Sequence, residues 1–341
     1  MRFLRLYVAI SLLTSFFLIS GSSAEAISFA PPKKGASSAS SLLQRRLEFF
    51  QQMEALYGIP WSYLAAVDQY ERTMKKRKKQ EEPTSRLTDL IIHPTIWCGY
   101  TNPEKDDNDL SSISFFGGIG QDGDGDGLAS QENDLDVWTT MIRFLGEYGF
   151  SRDDLRIGLW MYYQRDQAVK TIVQFASIYE KYQTLDLGRH AFPIPRRYEY
   201  SYKDTWGDAR GWGGRRIHEG TDIFASHGTP VLSTGYGVVE VVGWNRYGGW
   251  RIGMRDMDNV YHYFAHLSAF KKGLKPGDIV EPGEVIGYVG SSGYGRPGTS
   301  GKFPPHLHYG MYRDMGYAEW AFNPYSYLKL WERQARSKRK K

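Results

Sequence analysis

The 341-residue chain contains a single cysteine, Cys98. One cysteine excludes an internal disulfide, so the fold must rest on its core and on any metal it holds. The setting of that cysteine, Ile96-Trp97-Cys98, is apolar and predicts a buried thiol rather than a nucleophile. Long apolar runs are scarce too. The one candidate, Leu6 to Ile19, falls short of the roughly 20 residues that span a bilayer. Charge of one sign is not abundant: the formal excess is +5, much of it in the segment Arg333 to Lys341. Such a mild excess suits an acidic polymer, an anionic membrane surface or nucleic acid, and identifies none of them. No sequence repeat is visible.

What the chain does have is organised in blocks. Arg2 and Arg5 precede the apolar run and Ala24-Glu25-Ala26 follows it, which predicts a signal peptide over residues 1–26, with an uncleaved anchor as the alternative. Residues 27–40, rich in Ser, Ala, Pro and Lys, read as a linker. From Ser41 the pattern turns helical, with Leu43, Phe49, Phe50 and Met53 at helical spacing. A second helix starts near Pro60-Trp61 and runs to about Glu71. The Lys/Arg run from Lys75 to Lys79 reads as an exposed loop, and Trp138 to Tyr148 and Ile157 to Tyr182 as further helices. Residues 41–187 form one all-α domain on this reading.

The character changes at Gly188. Short alternating runs at Val231–Ser233, Val238–Trp244, Arg251–Asp256, Val260–His266, Val285–Val289 and His306–Tyr312 predict an all-β domain over 188–332, an antiparallel sandwich or open barrel. Residues 333–341 follow as a basic, solvated tail.

Within the β region, Pro-Pro-His306-Leu307-His308 reads as a strand that projects both imidazoles to one side. His218-Glu-Gly-Thr-Asp222 places a histidine and a carboxylate four apart, and Tyr263-Phe-Ala-His266-Leu267 adds another imidazole. Zinc accepts imidazole nitrogen and carboxylate oxygen, and a catalytic zinc keeps one position open. His218, Asp222 and one histidine of the late pair supply three ligands; the remaining one and His266 are left for acid–base work and transition-state stabilisation. His262, two residues before Phe264, is read as a packing residue, able to face the cleft beside His266. His93, His190 and His227 are not expected to be ligands.

Together these stretches resemble the M23 zinc metallopeptidases, the lysostaphin-like enzymes. The matching residues are Arg216-Ile-His-Glu-Gly-Thr-Asp222, Gly228-Thr-Pro-Val231, Tyr263 to Leu267, Pro276-Gly-Asp278, Gly287-Tyr-Val-Gly290 and His306-Leu-His308. The resemblance covers about residues 190 to 330. It implies zinc held by His218, Asp222 and His308, with His306 as general base and His266 as oxyanion stabiliser, roles that can be shared. The implied substrate is a peptide bond of peptidoglycan, with no nucleic acid and no obligate protein partner. Upstream, Tyr202-Lys-Asp-Thr-Trp206-Gly-Asp-Ala-Arg210-Gly-Trp-Gly-Gly is similar to the sporulation L-Ala–D-Glu endopeptidases, which implies cleavage of that stem-peptide bond outside the cytoplasmic membrane, secreted or wall-associated. Arg210, Arg215 and Arg216 suit the carboxylates of a stem peptide.

The helical half resembles the lysozyme-like lytic transglycosylases through Gly58-Ile-Pro-Trp-Ser-Tyr-Leu-Ala-Ala-Val-Asp-Gln-Tyr-Glu71, with Glu71 at the family's acid position. It departs from the pattern after Glu71, where Arg72 stands for Ser, and at Ile157 to Gln164, which lacks the Asn-Gly pair. Glycan cleavage through Glu71 is therefore the second functional reading, and a non-enzymatic wall-binding scaffold the third. A glycan-binding role fits this half better, with Trp61, Trp160 and Tyr163 as aromatic platforms or as ordinary core. Asp122, Asp124 and Asp126 with Gly127 resemble the front of a calcium loop, but position twelve is Asn133, leaving Glu132 or Asp134 as substitutes.

Overall fold

The structure, a computed structural model, describes residues 38–78, 86–211 and 216–337. The expected signal peptide, most of the linker, Arg215 and the chain end after Ser337 lie outside the described residues.

Among the described residues seven helices come first: α1 (Ser38–Tyr57), α2 (Trp61–Lys78), α3 (Pro94–Trp97), α4 (Leu110–Phe115), α5 (Asp134–Gly146), α6 (Arg152–Tyr163) and α7 (Asp166–Tyr182). Helix α5 begins at Asp134 rather than Trp138 and α6 at Arg152 rather than Ile157, and two differences from the sequence reading are larger. Helix α2 does not stop at Glu71 but carries the basic run to Lys78, where Arg72 and Lys75 pair with Asp89 at 3.2 and 3.6 Å. The long segment after Ile157 is two helices. Gln164 closes α6 in the left-handed region (φ 48°), and Asp166 opens α7 with a carboxylate in its first turn. The α6 start is a capping box, Ser151 and Asp154 exchanging bonds with each other's backbone. Cys98 is buried as expected, its thiol facing the Lys105 and Asp107 carbonyls.

Twelve strands follow: β1 (Tyr200–Tyr202), β2 (Ala209–Arg210), β3 (Arg216–Ile217), β4 (Thr221–Ala225), β5 (Pro230–Leu232), β6 (Gly237–Asn245), β7 (Gly249–Asp256), β8 (Val260–Phe270), β9 (Ile279–Val280), β10 (Val285–Val289), β11 (His306–Asp314) and β12 (Glu319–Phe322). The main sheet runs β1-β4-β11-β8-β7-β6-β9, with β12 on β11, β10 on β8, and β5 on β10. Every pairing is antiparallel. The hairpin β2–β3 stands apart from this sheet. A helix the sequence reading did not anticipate, α8 (Tyr325–Ser337), closes the β half and takes up the first residues of the basic segment. Its Leu328 and Trp331 are buried in the sheet's core with Phe264, Leu307 and Tyr309.

The helical core does not end at the linker. Val238 and Met257 of the β half belong to the same apolar cluster as Phe50, Trp138 and Phe175. Polar contacts reinforce the junction. Arg165 forks onto Asp314 at 2.6 and 2.8 Å, Gln69 donates to the Met257 carbonyl, and Lys170 and Gln174 reach Glu240 at 3.0 and 2.9 Å. A bidentate Arg–carboxylate pair fixes angle as well as distance.

Candidate metal centre

Pairing register builds the site. In the β4–β11 ladder, His308 stands opposite Asp222, and in the β11–β8 ladder it stands opposite Ala265. Directly opposed residues share a face, so Asp222, His306 and His308 project from one side of the sheet. His218 enters from the turn before β4. That turn needs glycine at position 220, because a Cβ there would lie 2.6 Å from the His308 ring and 2.7 Å from the Tyr309 carbonyl.

His266 reaches the same face by a different device. From Phe264 opposite Ile252 to Leu267 opposite Trp250, β8 has gained one residue on β7. The bulge inverts the alternation, and His266 takes the left-handed region (φ 62°), with its N–H on the Gly248 carbonyl. Leu267 therefore returns to the core and His266 turns into the cleft. The same bulge separates His262 from His266. His262 faces the opposite side, fully buried against Asp256 and Tyr309.

Three donor atoms converge. His218 Nε2 lies 2.9 Å from His308 Nδ1, and both lie 3.0 Å from Asp222 Oδ1. The His218 Nδ1–H donates to the Thr205 carbonyl at 2.8 Å, which leaves a lone pair on Nε2. An imidazole lone pair, a second imidazole nitrogen and a carboxylate oxygen thus meet at one point. Ligands of a tetrahedral zinc at 2.0–2.1 Å stand about 3.3 Å apart, so this set fits zinc, with a carbonyl orienting His218 from behind. Burial opposes it, but the surrounding imidazoles hold the Asp222 carboxyl well below the usual carboxylate range. Burial pushes His308 down.

Two further imidazoles flank the triad. His306 Nδ1–H donates to the Pro304 carbonyl at 2.8 Å and His266 Nδ1–H to the Ser292 carbonyl at 2.7 Å. Both therefore present Nε2 as an acceptor. Burial, with the nearby His308 and His306, lowers His266 to about 3, and burial also lowers His306. The rings of His266 and His306 lie 4.8 Å apart, with Phe303 and Tyr294 against them. All five residues line a cleft of about 730 Å³.

The structure gives the two arginines definite partners. Arg210 Nη2 lies 2.5 Å from Asp222 Oδ2, the oxygen not used in the triad, and its buried Nε has no hydrogen-bond partner among the described residues. Arg216 is held between the Tyr247 and Tyr294 rings, at 5.1 and 5.7 Å, and bonds the Tyr294 hydroxyl at 2.8 Å. Tyr263 lines the cleft, its hydroxyl pushed up to about 12 by burial, which keeps it a donor at neutral pH. Sequence reading had Tyr263 only as part of a motif. The signal was Gly248, whose missing Cβ makes room for that hydroxyl at 2.0 Å.

Elsewhere the sequence candidates separate. Glu71 accepts from the buried Tyr163 hydroxyl at 2.7 Å and lines none of the clefts of about 730, 710 and 690 Å³. Trp61 is buried against Tyr179. Asp122 and Asp124 come together with Asp136 rather than with Asp126. Asp134 is committed to the backbone of Leu87 and Thr88, and Asn133 caps α5.

Comparison with known proteins matches the model of peptidase family M23 to residues 216–324. An L-Ala–D-Glu endopeptidase of Bacillus subtilis is 55% identical over 312 residues, covering 92% of this chain and 96% of that protein. The chain belongs to peptidase family M23. It is an enzyme, a metalloendopeptidase. Lysostaphin of Staphylococcus staphylolyticus is 39% identical over 95 residues, covering 27% of this chain and 18% of its own length. Among solved structures, the antimicrobial peptidase lysostaphin from Staphylococcus simulans aligns at 29% identity and a TM-score of 0.35, covering 42% of this chain and 55% of that one. In this M23 chain the matched segment begins at Arg216 and takes in all five cleft residues, leaving Arg210 outside it.

Proposed function

We propose that this M23 endopeptidase is an exported, zinc-dependent peptidoglycan hydrolase that cleaves the L-Ala–D-Glu bond of the stem peptide in wall or cortex remodelling. The observation that carries the reading is the meeting of His218 Nε2, His308 Nδ1 and Asp222 Oδ1 within 3.0 Å, with the His218 proton held behind them on the Thr205 carbonyl. The bond assignment draws support from the similarity to the Bacillus subtilis enzyme, which extends through the helical half.

Zinc held by these three residues supplies Lewis acidity toward the scissile carbonyl and acidifies water. The protein's own part follows from its tautomers. His306 Nε2 faces the Asp222 carboxylate at 3.8 Å and is free to take the proton of the attacking water. Once protonated, the same nitrogen is a donor and returns the proton to the leaving amine. Neutral His266, with Nδ1–H on Ser292, is also an acceptor. It stabilises an oxyanion only after gaining a proton, which burial opposes, so its neutral Nε2 serves as a hydrogen-bond acceptor that orients the attacking water. The Tyr263 hydroxyl is the better-placed neutral donor for that oxyanion. Arg210 steadies Asp222, while Arg216 faces the substrate's free carboxylate from the cleft wall.

In this reading residues 188–332 are the peptidase domain and 41–187 a lysozyme-like positioning module, with Glu71 a structural partner of Tyr163. The Asp122, Asp124 and Asp136 carboxylates hold a structural calcium ion, which calcium-dependent melting tests. Digestion of purified peptidoglycan, with products read by mass spectrometry, tests the whole. New D-glutamyl amino termini that vanish on chelation are expected. Anhydro or reducing sugar ends instead would transfer the activity to Glu71, and no products would leave a scaffold.

A further inference from the structure

The metal cleft does not stop at the triad. Tyr263 meets the His308 ring at 5.9 Å, Tyr312 meets Tyr263 at 6.4 Å, and Tyr261 meets Tyr312 at 6.1 Å. Arg255 lies over Tyr261 at 5.7 Å and binds Glu240, which takes Lys170 of α7. A ladder of partly exposed tyrosines therefore leads from the metal centre along the sheet to the foot of α7.

There a second cleft, of about 710 Å³, opens between α6 and α7. Its walls follow helical spacing: Asp153, Arg156, Ile157 and Trp160 on α6, with Asp166 and Lys170 on α7. Trp160 is 40% exposed and Ile157 50%, so an indole face and an aliphatic floor stand open to solvent. Around them Asp153, Arg156 and Asp166, together with the indole N–H, make no side-chain hydrogen bond or ion pair among the described residues. An aromatic plate ringed by unengaged donors and acceptors matches the faces and hydroxyl rims of a sugar better than a peptide's apolar side chains.

We propose that the α6–α7 cleft binds the sugar backbone of a glycan strand whose attached peptide enters the metal cleft. The inference rests on the peptidoglycan reading and adds a second anchoring site, remote from Glu71. The Arg255–Glu240–Lys170 chain at the end of the tyrosine ladder, rooted in the buried Arg255, holds the two clefts in a fixed relation to each other. Binding there raises the local concentration of the attached peptide without new contacts at the reacting bond.

The test uses the full-length exported protein and two probes: peptide-free glycan strands of alternating N-acetylglucosamine and N-acetylmuramic acid, and a soluble L-alanyl-D-glutamyl tripeptide. Calorimetry should show Trp160→Ala weakening strand binding by about tenfold or more, with Trp160→Phe largely retaining it. Both variants should keep the wild-type kcat/KM on the tripeptide and lose activity on intact sacculi in proportion to strand binding. Arg156→Ala, on the exposed rim, gives an independent readout should Trp160→Ala not fold. Wild-type protein that ignores the strands, or variants that bind them as tightly, would overturn the proposal. Strand binding without tripeptide cleavage would instead refute the bond assignment and leave the glycan site standing.

Discussion

Two His–Asp clusters sit on opposite faces of the same sheet. In the cleft, His218, Asp222 and His308 bring possible ligand atoms within 3.0 Å of one another. On the buried face, Asp256 takes His262 at 2.8 Å and His190 at 3.4 Å. The residue types are the same; the supply of protons differs. Asp256 Oδ1 is satisfied by the backbone N–H groups of Asp258 and Val260, and His262 Nδ1 meets the hydroxyls of Tyr309 and Thr234. Each acceptor there has a donor, and the cluster is complete as protein. In the cleft, the Thr205 carbonyl takes the His218 proton behind the ring of ligands, and the middle suits a cation. Metal-ligand chemistry is thus distinguished from structural hydrogen bonding by where the protons are, not by which residues meet.

The largest test of that contrast removes one ligand. His308→Ala should hold no zinc, by elemental analysis of the purified protein, and its hydrolysis of peptidoglycan should fall to background. Metal retained at one ion per chain would break the comparison. His306→Ala comes next. It should keep its zinc and lose about 10²–10⁴ in kcat, the range for a positioned acid–base group. Loss of metal together with rate would make His306 a ligand.

On the buried face the expected effect moves from activity to stability. Asp256→Asn should cost on the order of 3 kcal/mol, because His190 and His262 lose the charge they pack against. Denaturant titration measures it, and zinc content and kcat of the folded fraction should not change. A variant as stable as wild type would mean that the buried cluster does not hold the β7–β8 turn against the helices.

How far these clusters were legible in the sequence depends on what joins them. His218, Asp222, His306 and His308 lie on or beside strands whose alternation is plain, so their common face could be read from spacing. His266 could not be placed the same way. Alternation puts it beside His262, and only the extra residue in β8 sends the two to opposite faces. A bulge is a mismatch between two strands and leaves no mark in either one. The carbonyls of Thr205, Ser292 and Pro304, which set the tautomers, come from loops with no residue-type signature. Helix α8 was missed because its basic exposed face, with Arg333 and Arg336, masks the buried Leu328 and Trp331. Asp314, paired with Arg165 at 2.6 Å, carried no mark in the sequence, because its partner stands 149 residues away.

The smallest effect, pH dependence, separates the two faces by sign. Burial opposes protonation of His190, but the hydrogen bond and charge of Asp256 outweigh it and raise this histidine above its ordinary value. In the window between roughly 6.5 and that raised value the folded chain binds more protons here than the unfolded chain, so this contribution is full below about 6.5 and is lost as pH rises. In the metal-free cleft His266 goes the other way. Its folded value lies at about 3, so between about 3 and about 6.5 the unfolded chain binds the extra proton and stability climbs with pH. Metal-free wild type should therefore gain stability from this cleft histidine up to about pH 6.5 and lose part of the His190 contribution above it. His190→Asn should remove the decline above pH 6.5 while leaving the rise below it. The variant also loses the stack of His190 on Trp331 at 5.0 Å, which lowers stability at every pH, so the slope and not the midpoint is the readout. Equal slopes above pH 6.5 in the two proteins would show that His190 does not titrate against Asp256.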